Sequence, residues 1–309
     1  MSQTRMLLFH IPAYDYMVEQ FAEHGAFDRG RVERRSFPDA ERYLRVLDDP
    51  RGRDVVLLGG TPTDLDWLEL YDLGYAISRA GARTLTIVMP YFGYSTMERV
   101  NHPGEVVTAK TRARLISAIP PCEGGTRVVL FDLHTSGIQF YFSDSHVTHH
   151  VYGSPVIRSG IERIADGRPY VLGATDAGRA KWVESLAARV QAEPAFVYKR
   201  RDPLSGKLSV TGINADVSGK LVIIYDDMIR TGSSLLQAAQ SYRNAGAREV
   251  HAIASHLVLP GDSLERLLGS GLVQTVSGTD SHPRCAEVAR RGGLVLPVAE
   301  LLAKALELA

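Results

Sequence analysis

The sequence lacks the features that mark several classes of protein. No apolar run is long enough to span a bilayer and nothing near the start resembles a signal peptide, so we expect a cytoplasmic protein. Only two cysteines occur, Cys122 and Cys285, and their separation fits neither a metal site nor a disulfide framework. The 35 basic residues balance the 35 acidic ones, which leaves no electrostatic footprint for a nucleic acid or an anionic membrane.

The sequence does contain enough apolar material for two folded domains. Of its 309 residues 45% are hydrophobic, and short apolar runs alternate with helical segments along the whole chain. This alternation predicts an α/β fold with mostly parallel sheets. The pattern begins again after Tyr152–Pro155, so we predict one domain over residues 1–152, completed by 293–309, and a second domain over residues 153–292.

The most informative stretch is LVIIYDDMIRTGSSLLQAAQSYRNAGA, residues 221–247. An apolar run predicts a buried strand, Asp226 and Asp227 follow it, and a loop of small hydroxylated residues, Thr231 to Ser234, leads into a helix. The backbone N–H groups and hydroxyls of such a loop can bind a phosphate at the helix N-terminus, where the helix dipole favours an anion. The two carboxylates could hold sugar hydroxyls or a hydrated Mg2+. Ordinary helix capping explains the same residues about equally well.

This stretch resembles the signature loop of the type I phosphoribosyltransferase fold, and the whole chain is similar to the ribose-phosphate pyrophosphokinase family. The resemblance implies two tandem phosphoribosyltransferase-like domains, each a mostly parallel sheet flanked by helices. It also implies that the paired acids bind the hydroxyls of ribose 5-phosphate and that the loop binds its phosphate. Arg230 departs from the family, which usually has an acid at this position. The implied ribose 5-phosphate site consists of Asp176, Asp226, Asp227, Arg230, Thr231, Gly232, Ser233 and Ser234.

Three segments of the first half resemble the nucleotide site of that family. SFPDAE is similar to F-x-D-G-E, with Ala40 in place of the glycine. PYFGYSTMERV begins like P-Y-F/Y-G-Y but has Thr96 and Met97 where the family has Arg and Gln, and FDLHTSGIQFYF resembles D-L-H-x-x-Q-I-Q-G-F-F. Taken singly, an exposed Phe in a hairpin or a His at a strand end is more often structural. The nucleotide-binding residues that the resemblance implies are Phe37, Asp39, Glu41, Glu98, Arg99 and His134.

Two segments of the second half resemble the catalytic part of the family site. ATDAGRAKW is similar to the loop P-D-x-G-x-x-K/R, and YKRRD is similar to the K-R-R catalytic loop. The resemblance implies that Lys199 and Arg201 stabilise the transferring diphosphate, and that His134 and Asp176 position Mg2+. We expect the polar stretch that Lys199 opens to be a mobile loop. From the residues alone, three adjacent cations usually form a solvated rim, and Thr175 with Asp176 is an ordinary helix cap.

The resemblance implies transfer of diphosphate from ATP to the 1-hydroxyl of ribose 5-phosphate by a Mg2+-dependent homo-oligomer, a dimer or larger. Arg230 suggests one alternative, a diphosphokinase that acts on a different sugar phosphate. A second alternative is a non-catalytic relative that binds and regulates a true synthetase, but the retained Lys199, Arg201 and His134 argue against it. A phosphoribosyltransferase that consumes phosphoribosyl pyrophosphate would need only one such domain, so the doubled architecture argues against that function.

Overall fold

The computed structural model describes residues 5–175, 180–201 and 208–307, and its contacts divide the chain into two compact units. The first unit contains the chain up to Tyr152 together with the segment from Val298, and the second is Gly153–Pro297. Each unit is built around its own six-stranded sheet, in which all strand pairs are parallel. Within the described ranges, no helix is both long and apolar enough to cross a membrane.

The first unit has the strand order β2-β1-β5-β6-β7-β8, with a separate two-stranded sheet formed by β3 and β4. Its central strands are buried on both faces, which is why they read as continuous apolar runs. The long helix α2 begins at a capping box, in which the Thr63 hydroxyl accepts from the backbone N–H of Asp66 and the Asp66 carboxylate accepts from that of Thr63. The elements up to the unit boundary are β1 (Met6–His10), α1 (Asp15–Glu23), β2 (Phe27–Arg29), β3 (Val32–Ser36), β4 (Arg42–Val46), β5 (Asp54–Leu58), α2 (Asp64–Arg79), β6 (Thr84–Met89), α3 (Thr108–Ser117), β7 (Thr126–Phe131) and β8 (His146–Val151).

The second unit has the strand order β10-β9-β13-β14-β15-β16, with a second two-stranded sheet of β11 and β12. One apolar cluster lies on each face of the six-stranded sheet. The elements are α4 (Ser154–Ala165), β9 (Tyr170–Ala174), α5 (Ala180–Val190), β10 (Glu193–Ala195), β11 (Val197–Arg201), β12 (Leu208–Ile213), β13 (Leu221–Ile229), α6 (Ser233–Asn244), β14 (Glu249–Leu257), α7 (Ser263–Gly269), β15 (Val276–Thr279), α8 (Cys285–Arg290) and β16 (Val295–Leu296); α9 (Ala299–Glu307) follows and belongs to the first unit.

Three details differ from the expectations drawn from the sequence. The strand β13 does not end before the paired acids: Asp226 and Asp227 lie within it, because its backbone stays paired with β14 as far as Ile229. Lys199 and Arg201 belong to the strand β11, which pairs antiparallel with β12, and residues 202–207 of the stretch expected to be a mobile loop lie outside the described residues. The short strand Val295–Leu296, expected to complete the first domain, pairs instead with β15 in the second unit.

Candidate active site

The hairpin of β3 and β4 has a tight tip that presents an aromatic ring and a carboxylate. Phe37 N–H donates to Glu41 O at 2.8 Å, and Asp39 Oδ1 accepts from Glu41 N–H at 3.1 Å. The Phe37 ring is 47% exposed and stands edge-on to Tyr43. Ala40 has a φ of +71°, in the left-handed region that favours glycine, which accounts for the glycine in the motif it resembles. Phe37 and Glu41 are therefore available to a ligand, while Asp39 also stabilises the turn.

Helix α2 fixes the segment that follows β6. The first residue of α2, Asp64, accepts hydrogen bonds from Tyr94 Oη and from Arg112 Nη2, both at 2.8 Å. The Arg112 guanidinium lies over the Tyr94 ring, 5.0 Å from its centroid, in a cation–π contact. One turn along α2, Trp67 packs edge-on against Phe92 with ring centroids 4.9 Å apart. These contacts hold Tyr94 at a φ of +63°, which a bulky side chain rarely adopts.

The predicted nucleotide residues Glu98 and Arg99 lie beside the short 3-10 helix Ser136–Tyr141, which begins two residues after His134. Tyr141 Oη donates to Glu98 O at 2.6 Å. Arg99 is largely exposed, and its Nε lies 3.4 Å from Glu98 Oε1. His134 is half-buried and lies three residues after Phe131, the last residue of β7. The segment around Glu98 and the segment around His134 therefore lie next to each other. Helix α2 connects them to the third segment that resembles a nucleotide site, the hairpin of β3 and β4.

A histidine that the sequence analysis did not single out supports the turn before His134. Leu133 N–H donates to His150 Nε2 at 3.0 Å, so Nε2 is an acceptor and Nδ1 carries the proton. Burial lowers the pKa of His150, although the nearby Asp132 carboxylate opposes this shift, and the neutral form suits its role as an acceptor. Asp132 itself is buried with a φ of +41°. His150 thus stabilises a tight backbone turn at the carboxyl end of β7.

In the second unit the loop before α6 has the structure of a phosphate site. Gly232, with a φ of +75°, occupies the N-cap position of α6, and within the described residues the helix has no side-chain cap. Thr231, Ser233 and Ser234 are exposed, and the hydroxyls of Thr231 and Ser233 lie 3.3 Å apart. Arg266 Nη2 donates to Thr231 O at 3.2 Å from the side of α7. The first N–H groups of α6 and these hydroxyls can therefore bind an anion.

The paired acids lie beside this loop and differ in their surroundings. Asp226 and Asp227 are neighbours in a strand, so their side chains point to opposite faces of the sheet. Asp226 accepts from Thr175 Oγ1 at 3.2 Å and, through its other oxygen, from Asp227 N–H at 2.9 Å. Asp227 is only 9% exposed, whereas Arg230 is exposed in the loop. The sheet thus brings Thr175, from the end of β9, against Asp226 of β13.

A polar cluster at the ends of β14 and β15 was missed by the sequence analysis. His256 Nδ1 lies 2.8 Å from Ser281 Oγ, and the hydroxyls of Thr279 and Ser281 both donate to Ser255 O. Burial, with His256 and Arg284 nearby, lowers the pKa of His282 to about 3, so it is neutral. The signal was present in the sequence as Ser-His and Thr-Asp-Ser-His, each at the end of an apolar run, but only the strand order shows that the two strands, β14 and β15, are neighbours.

Several predicted site residues cannot be placed by their side chains. Asp176 lies outside the described residues. The backbones of Lys199 and Arg201 belong to β11, opposite Val210 and Leu208 of β12, but their side chains lie outside the description. The roles implied for these three residues stay predictions.

The described residues near Asp226 fit Mg2+ that is held jointly by protein and substrate. Within the described ranges there is no group of three or more His, Cys, Asp and Glu side chains placed to hold a metal ion. The Asp226 carboxylate accepts from Thr175 Oγ1 and from Asp227 N–H, one through each oxygen, and an ionised carboxylate is an acceptor-only group with about four lone-pair sites. Mg2+ usually binds one or two carboxylates together with waters and substrate phosphates. The chemistry of Asp226 therefore fits Mg2+ that arrives with a phosphorylated substrate.

Comparisons with known proteins agree with these observations. Residues 6–119 match the model of the N-terminal domain of ribose phosphate pyrophosphokinase, and residues 171–306 match the phosphoribosyl synthetase-associated domain. The ribose-phosphate pyrophosphokinase of Rhodopirellula baltica is 34% identical over 294 residues, 94% of this chain and 91% of that protein, and the one of Synechococcus elongatus is 32% identical over 96% and 88%.

A solved structure, the phosphoribosylpyrophosphate synthetase of Mycobacterium smegmatis, superposes with a TM-score of 0.86 at 27% identity, covering 99% of this chain and 98% of that one. The predicted pair of phosphoribosyltransferase-like domains is thereby confirmed. The chain belongs to the ribose-phosphate pyrophosphokinase family.

Proposed function

We propose that this protein transfers the diphosphate group of ATP to the 1-hydroxyl of ribose 5-phosphate, giving phosphoribosyl pyrophosphate and AMP. The observation that carries the proposal is the N-terminus of α6, which has no side-chain cap among the described residues and follows Asp226 at the carboxyl end of a parallel sheet, where such folds bind phosphorylated ligands. The names of relatives that align over most of the chain support the same reaction. The loop Thr231–Ser234 would bind the 5-phosphate and Asp226 the ribose hydroxyls, while the part that the resemblance implies for Asp227, which lies on the other face of the strand, stays a prediction.

The reaction requires alignment and charge neutralisation more than acid–base chemistry. The O1 oxygen of the sugar forms a bond to the β-phosphorus of ATP, and the bond from that phosphorus to the oxygen it shares with the α-phosphorus breaks. AMP leaves with this oxygen, and the O1 proton passes to solvent. Mg2+, when bound, would neutralise charge on the phosphates. Lys199 and Arg201 would stabilise the transferring group, and Phe37, Glu41 and the segment around His134 would bind the nucleotide.

The test is an assay of AMP release from Mg-ATP, with and without ribose 5-phosphate. We expect release only when the sugar phosphate is present, and a loss of about 100-fold in kcat in Lys199→Ala, since one donor to a transition-state oxyanion contributes roughly 3 kcal/mol. Lys220→Ala is the matched control, because Lys220 is an exposed lysine of the same unit that pairs with Glu193 at 3.1 Å. The absence of sugar-dependent AMP release from folded protein would refute the proposal.

The exposed Arg230 favours a second candidate, transfer of diphosphate to a sugar phosphate with an additional anionic group. A cation at this position changes the charge of the loop by about two units relative to the acid that the family usually carries there, and an exposed guanidinium can bind a second phosphate or a carboxylate. Comparing ribose 5-phosphate with other pentose phosphates and sugar bisphosphates tests it. A strict preference for ribose 5-phosphate that is unchanged in Arg230→Asp would exclude this candidate.

We also propose that a second copy of the chain covers one face of α2. Leu65, Leu68 and Tyr75 follow one another at helical spacing and are 59%, 51% and 43% exposed. A large exposed apolar face usually marks an interaction site, and a second copy is the partner that a symmetric homo-oligomer always supplies. Leu68→Lys should shift the particle mass towards the monomer, whereas Leu47→Lys, on the hairpin, should not. An unchanged mass in Leu68→Lys would show that this face is not the interface.

A further inference from the structure

The two faces of the hairpin β3–β4 carry different ion pairs. Because Arg34 pairs with Leu44 and Ser36 with Arg42 across the strands, Arg34 and Arg42 lie on the same face. Both reach Glu69 of α2: Arg34 Nε lies 2.7 Å from Oε1, and Arg42 Nη2 contacts Oε2. The Glu69 side chain is only 3% exposed. One buried carboxylate therefore binds both strands of the hairpin to the helix.

The opposite face carries a similar arrangement that faces solvent. Glu33 lies 3.1 Å from Arg35 and 3.8 Å from Arg45, but the two arginines are 57% and 63% exposed. Exposed ion pairs of this kind contribute little to stability. Glu33 with its two arginines is therefore a control for Glu69: it has the same kind of ion pairs in the same hairpin, but these pairs make no contact with the rest of the unit.

The buried pairs matter because the hairpin forms its own two-stranded sheet, apart from the six-stranded one. Such a hairpin is marginally stable in water unless it packs on another element. Arg34 provides one more attachment, since its Nη2 donates to His10 O at the end of β1, at 2.6 Å. The direction of the hairpin, and with it the position of the tip at Phe37 and Glu41, is therefore set through Glu69, Arg34 and Arg42.

We propose that Glu69 is a positioning residue for nucleotide binding, which acts by holding the hairpin tip at the carboxyl edge of the first sheet through Arg34 and Arg42. This inference rests on the proposed function, because it takes the tip to contact ATP. Without the carboxylate, two partly buried guanidinium groups lose their shared counter-charge and the hairpin is free to change its direction. Glu69 itself need not touch the substrate, so its loss should weaken ATP binding more than it slows the chemical step.

The test compares Glu69→Gln with Glu33→Gln, which removes the same charge from the solvent face. We expect Glu69→Gln to raise the KM for ATP, and the Kd of Mg-ATP measured by equilibrium binding, about tenfold, with kcat and the KM for ribose 5-phosphate within twofold of wild type. Hydrogen exchange at residues 32–46 should become at least tenfold faster. Glu33→Gln should change none of these quantities more than twofold, and Glu69→Asp should recover part of the ATP affinity.

Arg42→Met, which keeps the pair of Glu69 with Arg34, serves if Glu69→Gln does not fold, and should raise the Kd of Mg-ATP about threefold. Equal effects of Glu69→Gln and Glu33→Gln, or a fall in kcat at unchanged ATP affinity, would overturn the positioning role. A wild type that binds Mg-ATP but releases no AMP would refute the proposed function alone, since the Kd and the exchange rates still decide the role of Glu69. A wild type that does not bind Mg-ATP would overturn both.

Discussion

Gly232 allows the sharpest test of the phosphate loop, because its surroundings exclude any side chain. The residue has a φ of +75°, and a Cβ built on it would lie 2.7 to 2.9 Å from the side chain of Leu267 in α7. The change Gly232→Ala therefore adds both a backbone penalty and a steric one. Since Gly232 is the N-cap of α6, either penalty can be relieved by moving the loop that would bind the 5-phosphate.

The magnitude follows from these two contributions. A left-handed conformation costs a residue with a Cβ roughly 1–2 kcal/mol. Forcing a methyl group into a packed side chain costs about 1–3 kcal/mol more. We expect Gly232→Ala to lower the free energy of unfolding by about 2–5 kcal/mol. The matched control is Gly219→Ala, because Gly219 has a φ of +69° in the same unit but no atom within 4 Å of the added Cβ, and it should lose only about 1–2 kcal/mol.

Urea denaturation measures the stability, and AMP release against ribose 5-phosphate concentration measures the loop. We expect the KM for ribose 5-phosphate to rise about tenfold in Gly232→Ala, equivalent to about 1.4 kcal/mol, and to be unchanged in Gly219→Ala. The double variant with Leu267→Ala should be less destabilised than the sum of its single changes, since the clash is removed. If both glycine variants lose the same stability within about 0.5 kcal/mol, the steric argument is refuted.

Three further predictions concern the backbone and one buried histidine. Ala40→Gly should increase the free energy of unfolding by about 0.5–1 kcal/mol, and with it the melting temperature, because glycine adopts the left-handed conformation of the hairpin tip without strain. A lower melting temperature would contradict this. His150→Phe removes the acceptor of Leu133 N–H and should cost about 1–3 kcal/mol together with ATP affinity, so an unchanged KM for ATP would contradict the role given to this turn. The pKa of His282 is about 3 in the folded protein and about 6.5 in the unfolded chain, so the unfolded chain binds the proton first as the pH falls. The free energy of unfolding should therefore decrease by up to about 1.4 kcal/mol per pH unit as the pH drops from 6.5 towards 3. His282→Gln should flatten this slope, measured by urea titration at a series of pH values.

Local patterns were sufficient to predict much of the fold and the position of the loop before α6. The strands and helices could be predicted because apolar runs and helical spacing lie within single segments, as in the run Tyr170–Ala174 that forms β9. The loop Thr231–Ser234 was recognisable for the same reason, since its donors are neighbours in the chain. The end of β13 was not, because Asp226 and Asp227 interrupt the apolar run while the backbone continues to pair with β14, and backbone pairing leaves no mark in side-chain polarity.

Contacts between segments that are distant in the chain could not be predicted from the sequence. Glu69 is polar at a position that the helical pattern of α2 would assign to the core, but nothing local shows that Arg34 and Arg42 supply its counter-charge. His150 likewise reads as one histidine of a strand until the parallel pairing of β7 with β8 brings it to Leu133. Such pairs depend on which strands are neighbours, which a single sequence does not state.

The two units use their charged residues differently, which is how a chain with no net charge would bind the two phosphorylated substrates proposed for it. In the second unit the candidate donors at the start of α6 are backbone N–H groups and hydroxyls, which can bind an anion through dipoles and hydrogen bonds. In the first unit three arginines near the candidate site, Arg34, Arg42 and Arg112, are each paired with Glu69 or Asp64. Their charges act mainly on the protein, where they hold the hairpin and the Tyr94 segment in place. If the proposed function holds, phosphate recognition depends on a few positioned donors, so variants that displace those donors should be more damaging than variants that only change surface charge.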